Sequence, residues 1–517
     1  MKYFRSFFGA WLSAVAAFSH VSAMADSSPP VLVIDDTRYA GAWSDDRQVA
    51  AYLGVPFAAP PVGELRWQPP IPAVTPAGLV DASEYAPACY QGQHLVNWYR
   101  NVITSFGGDP DVMVAPEFSE DCLYLNIWAP KQVGKEPLPV MVYVHGGSNK
   151  GGWSYEVNYV GENLAKQGVV LISIPYRLGV FGFFSHPHLS QSNFALLDLV
   201  AALNWIKRHA AAFGGDPDNV TLFGESAGAS NISALLVSPL AQGLFQRVIL
   251  QSSGWALQEL PSRQDRIAMG RELQEIVLGA EGDLTALRAA PADHLLEAAS
   301  SIYADIGFDP VIDGVSLTGN VLEAVSREDW QAVDLLVGSN KDEWLMYLDQ
   351  GQKLDEWLEV NLPGLNAQEL LAAMGPVKSE LEAIDRLVTA QKFVCPSMLQ
   401  AATMSQNNAR TWFYLFARQR AGEMAASMGA YHGAELPYVF DTHDPWLPTN
   451  ADDRQVTRQL MNAWVHFARH GSPGNVEGER WPEFRLADSM TMIFDTVPQL
   501  AVHRDRNLCN LLSAPTR

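Results

Sequence analysis

The chain of 517 residues is 48% hydrophobic and 18% charged, with 39 Gly and 32 Pro, a balance that fits a large core with many turns and excludes disorder, collagen and coiled coil. Its formal net charge of −22 offers no basic field to phosphate backbones or anionic lipid, so nucleic acid is not an expected partner. The length admits either about three domains of roughly 150 residues or one large α/β unit.

Lys2 and Arg5 precede the apolar run Phe7 to Phe18, and Ala23-Met24-Ala25 follows. That pattern reads as a secretory signal spanning 1–25, cut after Ala25. Its loss takes the net charge from −22 to −24. No later stretch is apolar for the ~20 residues that a membrane-spanning helix needs, so the mature chain is expected to be secreted or periplasmic, with no membrane span. Export makes the four cysteines, Cys89, Cys122, Cys395 and Cys509, read as two disulfides rather than a metal site. Four cysteines allow three connectivities.

No repeat or low-complexity linker interrupts the chain, so 26–517 is expected to form one domain. Val31 to Ile34 and Leu123 to Trp128 read as antiparallel edge strands. Pro139 to Val144, Val169 to Ile174, Val220 to Phe223, Arg247 to Gln251 and Leu335 to Val337 are short runs rich in Val, Ile and Leu, as buried parallel strands tend to be. Helical patterns lie between them: Phe194 to Ala212, and a second stretch opened by Ser226 and running through Leu236. This alternation predicts an α/β architecture, a mostly parallel central sheet covered by helices. From about Pro261 to Leu387 the pattern is mainly helical, interrupted by Asp334 to Glu343, and predicts helical insertions above the strand ends.

The sharpest local signal is Gly224-Glu225-Ser226-Ala227-Gly228, which follows an apolar strand and opens a helix. In a nucleophile elbow the turn is so tight that only small residues fit around the Ser, which projects from the top of the sheet at a helix N-terminus. Upstream, the strand ending at Val144 runs into His145-Gly146-Gly147-Ser148, a turn whose N–H groups can face an acyl oxygen together with that of Ala227. The general base must be a His that follows the acid in sequence. His432, in the loop Gly429 to Gly433, fits best; His466 and His470 lie on a helical run and read as packing or surface residues.

Several segments together resemble the type-B carboxylesterase family, which includes the cholinesterases. They are Tyr52 to Phe57, Pro60 to Trp67, Glu120-Asp121-Cys122-Leu123-Tyr124-Leu125-Asn126, Tyr176-Arg177-Leu178-Gly179, Phe213 to Pro217, the elbow, Gln251-Ser252, Phe308 to Gly314 and Tyr431 to Phe440. The resemblance implies an α/β-hydrolase fold with a gorge or lid built from the helical insertions. It implies Ser226 as nucleophile, His432 as base and Glu343 as acid, with Asp342 the rival for the acid. The oxyanion donors fall on Gly147, Ser148 and Ala227. The same resemblance implies a loop closed by Cys89 with Cys122, an ion pair of Arg66 with Glu120, and Cys395 left to Cys509.

Four features depart from the family pattern. Ser148 stands where Gly or Ala is usual, and Leu199 follows Asp198 where Gln is usual. The Cys89 to Cys122 loop is longer and sets Trp98 away from the position of the choline-stacking Trp, so a quaternary-ammonium site is not implied. Ala304 and Ile306 stand where cholinesterases carry bulky aromatics, which predicts a wider acyl pocket. Trp98, Trp153, Trp255, Trp344, Ala304 and Ile306 are the candidate gorge residues. The expected activity is cleavage of a small-molecule carboxylic ester through an acyl-enzyme. The alternatives are a specialised ester (polyester, toxin or thioester) or a non-catalytic adhesion-type member. No metal or organic cofactor is expected: no H-E-x-x-H occurs, and no G-x-G-x-x-G follows the first strand. No residue pattern implies an oligomeric state.

Overall fold

The computed structural model describes residues 28–131, 134, 136–254, 259–279, 282–304 and 306–513; the signal stretch 1–25 lies outside the described residues. Eleven strands form the main sheet: β1 Ala42–Trp43, β2 Val49–Pro56, β3 Tyr124–Pro130, β4 Leu138–Val144, β5 Val170–Ile174, β6 Gly215–Glu225, β7 Arg247–Gln251, β8 Asp334–Asn340, β9 Thr411–Phe416, β10 Met490–Phe494 and β11 Gln499–Val502. Their spatial order is β11-β10-β9-β8-β7-β6-β4-β5-β3-β2-β1. The seven strands from β5 to β10 run parallel, and antiparallel strands close both edges.

Alternation of side chains along each strand divides the core in two. Val140, Val142, Val144, Leu222, Val248, Leu250, Leu335 and Val337 face one layer, covered by helices α1 Phe194–His209 and α2 Ala227–Leu236. Met141, Tyr143, Phe223, Ile249, Leu336 and Tyr414 face the other, covered by α3 Ala451–His470. A sheet buried on both faces selects the continuous apolar runs seen in the sequence.

Val31–Ile34 does not join this sheet. It pairs with Thr37–Ala40, which pairs in turn with Gly78–Asp81, in a separate three-stranded sheet. Val31 and Val33 are exposed while Leu32 and Ile34 are buried, so this strand has one wet face and cannot be sandwiched between helix layers. The expected interruption at Asp334 to Glu343 is strand β8, flanked by Arg263–Leu278 and Ala292–Ile302 before it and Leu354–Asn361 and Glu380–Thr389 after it.

Two disulfides, Cys89–Cys122 and Cys395–Cys509, are formed. Beside the first, Arg66 grips Glu120 through two hydrogen bonds of 2.7 and 2.5 Å and donates to the carbonyls of Arg288 and Ala290. Asp198 is fully buried and receives both the backbone N–H and the guanidinium of Arg177, which satisfies a charge that would otherwise be costly in the core. Among the described residues no helix is long and apolar enough to cross a membrane.

Candidate active site

Strands β6, β7 and β8 end side by side, and the functional side chains stand at those ends. Ser226 follows β6 directly with φ 54° and ψ −125°, outside the comfortable regions for a residue with a Cβ. Its flanks explain the glycines: a Cβ on Gly224 would lie 2.5 Å from the Val144 carbonyl oxygen, and one on Gly228 2.1 Å from it.

His432 comes from the loop after Gly429, and its Nε2 lies 2.9 Å from Ser226 Oγ. Its Nδ1 lies 2.6 Å from Glu343 Oε2. Glu343, just beyond β8, is fully buried. Its other oxygen accepts from Ser252 Oγ at 2.5 Å and from the Asn340 N–H at 2.7 Å. The rival Asp342 points elsewhere, accepting from the Ala430 N–H and pairing with Lys341. His466 and His470 lie on the exposed end of α3.

Two further carboxyls crowd the imidazole. Glu225 Oε1 is 3.2 Å from His432 Nε2, and Glu435 is held by Gln251 and Asn340. Burial raises the pKa of both glutamates, and their mutual repulsion with Glu343 adds to it. For His432 burial acts downward, but the surrounding carboxylates, led by Glu225 and Glu343, overcome it and hold the imidazole above its ordinary pKa. Phe393 packs against the ring, with centroids 5.2 Å apart.

Gly147 and Ser148 carry φ of 101° and 55°, and no turn or loop hydrogen bond of the described residues takes up their N–H groups or that of Ala227. The loop is held from behind. Asn149 donates to the Phe308 carbonyl and accepts from Asn231, while His145 stacks on Tyr176 and is kept neutral by burial, its pKa pushed down to about 4.

A cavity of about 490 Å³ opens onto Ser226, and its lining includes Gly147, Ser148, Ala227 and His432. Of the gorge candidates, Trp98, Trp344, Ala304 and Ile306 line it. Trp98 stands close to Gly433, and its indole donates to the Tyr347 hydroxyl, so the long loop carries this ring into the cavity wall. Trp153 is corrected: it does not line the cavity but is buried in a cluster with Val96 and Met113, behind the lining residue Tyr99. Trp255 lies outside the described residues.

Reading of the residues assigned no task to Ser252, Glu225, Glu435 or Phe393. The available signal for Ser252 was its place directly after β7, beside the strand that carries the elbow. In open parallel sheets ligands gather at those carboxyl ends.

A mostly parallel sheet covered by helices on both faces, with a sharp strand-to-helix turn at Ser226, defines an α/β-hydrolase fold. The chain belongs to the carboxylesterase family, whose profile matches residues 37–511. It is 35% identical over 485 residues to the fumonisin B1 esterase of Sphingopyxis macrogoltabida, covering 86% of this chain and 83% of that one. It is 33% identical over 473 residues to the para-nitrobenzyl esterase of Bacillus subtilis (strain 168), covering 87% and 91%. A solved para-nitrobenzyl esterase superposes with a TM-score of 0.80 at 29% identity, over 94% of this chain and all of the other. A carboxylesterase of Geobacillus stearothermophilus gives 0.75 at 31% identity, over 91% and 97%. This protein is thus a carboxylic-ester hydrolase.

Proposed function

We propose that the protein cleaves its ester through an acyl-enzyme formed on Ser226. The observation that carries this reading is the unbroken run from Ser226 Oγ through His432 to Glu343, with links of 2.9 and 2.6 Å. Ser226 attacks the ester carbonyl as His432 Nε2 takes its proton. Glu343 fixes the tautomer that leaves Nε2 free and stabilises the imidazolium that forms. The tetrahedral oxyanion develops against the N–H groups of Gly147, Ser148 and Ala227, donors already oriented before reaction. His432 then protonates the departing alcohol, and water repeats the sequence on the acyl-enzyme.

The experiment is hydrolysis of 4-nitrophenyl esters from acetate to decanoate, with Ser226→Ala in parallel. The reading expects a pre-steady-state burst in the parent and its loss in the variant. Turnover unaffected by the substitution sinks the assignment. A second reading, a specialised ester of a toxin, draws on the 35% identity to a fumonisin B1 esterase and expects short acyl esters to be slow.

The mature protein is proposed to be exported as one unit of residues 26–517. The basic-apolar-small pattern of 1–25 and the two disulfides support this. Mass spectrometry of the purified protein tests cleavage after Ala25.

A further inference from the structure

Lys150 takes no part in the chemistry above, yet it lines the same cavity. It stands in the turn just beyond the oxyanion loop, where its N–H donates to the Gly147 carbonyl at 3.0 Å. Among the described residues that line the cavity it is the sole Lys or Arg, and no hydrogen bond or ion pair of the described residues engages its ammonium. In a chain of net charge −22, an unpaired cation beside the reacting centre is the exception.

Two titratable groups of the same lining feel its charge. The protonation of His94 is opposed first by burial and then by Lys150. The carboxyl of Asp309 is raised by burial and countered first by Arg266 and only then by Lys150. Asp309 therefore leans more on Arg266, and it forms no contact pair that would neutralise Lys150. Around them the wall is apolar, with Leu95, Ile306 and Phe308. Lys150 is partly buried, and an anionic group of a ligand entering the cavity can take a charge-assisted hydrogen bond from an ammonium that no neighbouring carboxylate already holds.

We infer that this enzyme selects esters bearing a free carboxylate, which Lys150 holds while the neutral ester group sits at Ser226. The carboxylate belongs either to the acyl part, as in a half-ester of a dicarboxylic acid, or to the alcohol part, as in an acylated hydroxy acid. The inference rests on the proposal that Ser226 is the nucleophile.

The test measures kcat/KM for two matched pairs in the parent, Lys150→Met and Lys150→Arg. The first pair is mono-4-nitrophenyl glutarate and 4-nitrophenyl pentanoate; the second is 4-acetoxybenzoate and phenyl acetate. In Lys150→Met the charged-to-neutral ratio should fall at least tenfold in one pair, mainly through KM, and Lys150→Arg should retain most of it. A fall in the first pair puts the carboxylate on the acyl side, a fall in the second on the alcohol side. Ratios within twofold of the parent in both pairs overturn the inference while leaving the ester-hydrolase reading intact. No turnover of any of the four by the parent, with Ser226 refractory to a fluorophosphonate, would instead remove the reading on which it rests.

Discussion

Glu343 accepts three hydrogen bonds, from His432, Ser252 and the Asn340 N–H, so its carboxylate is fixed in place before substrate arrives. In the proposed mechanism Glu343→Gln keeps the shape but removes the charge that would stabilise the imidazolium, and kcat should fall by about 10² or more with KM little changed. Ser252→Ala removes one donor and should cost less, roughly tenfold in kcat; steady-state kinetics on a neutral ester separate the two. Glu225 acts through charge. In the proposed mechanism His432 must be neutral to serve as base, and its raised pKa predicts that activity is lost as pH falls through a value above the ordinary 6.5. Glu225→Gln removes the leading carboxylate, so the acidic limb of kcat/KM should move to lower pH; an unmoved limb would show that Glu225 does not tune the base. Ser226 and His432 stood out as candidates because one sits in an elbow after an apolar run and the other in a glycine-bounded loop, whereas Glu343 entered only through the family resemblance, with Asp342 as its rival. Ser252 and Glu435 did not stand out, because their roles arise only when chain segments 91 and 184 residues apart meet.

The elbow shows at the element scale why sequence spacing translates into geometry. Gly228 opens α2 so close to β4 that an added Cβ would sit 2.1 Å from the Val144 oxygen and 2.6 Å from that of His145. Both atoms are backbone belonging to the strand that feeds the oxyanion loop, so neither can give way alone. Gly228→Ala should therefore lower Tm sharply, by ~3 kcal/mol or more of stability, and should displace Gly147 and Ser148. Gly243→Ala also sits at positive φ, 73°, but in open space, and should cost far less; differential scanning calorimetry of the two variants checks the contrast. Five parallel strands were readable as Val-, Ile- and Leu-rich runs. β9, Thr411-Trp412-Phe413-Tyr414-Leu415-Phe416, is equally buried, but its aromatics carry no such aliphatic signature. Val31–Ile34 was readable as a strand and misplaced in the fold, since four apolar residues in a row mark a strand without showing that one of its faces is exposed or which sheet it joins.

For the whole molecule, the two disulfides constrain unequal lengths of chain and touch different parts of the site. Cys89–Cys122 spans 33 residues and encloses the helix His94–Ser105 that carries Trp98; Cys395–Cys509 spans 114 and ties the helix Arg506–Leu512 to the start of Cys395–Gln406. Chain entropy values these closures at about 3.7 and 4.8 kcal/mol. Cys395 lies two residues beyond Phe393, whose ring backs His432, and the junction is reinforced by Arg386 bound to the buried Asp505. Replacing Cys395 and Cys509 by Ala should thus lower Tm by about 5 °C, at ~1 kcal/mol per degree for a chain of this size, and should lower kcat as the wall behind the base loosens. Replacing Cys89 and Cys122 should lower Tm by less and act chiefly on KM, because the segment it releases lines the gorge but does not touch the imidazole. Thermal unfolding and ester kinetics on the two double variants distinguish these outcomes: equal effects on kcat and KM in both would mean that the disulfides support the fold without separate ties to base and gorge.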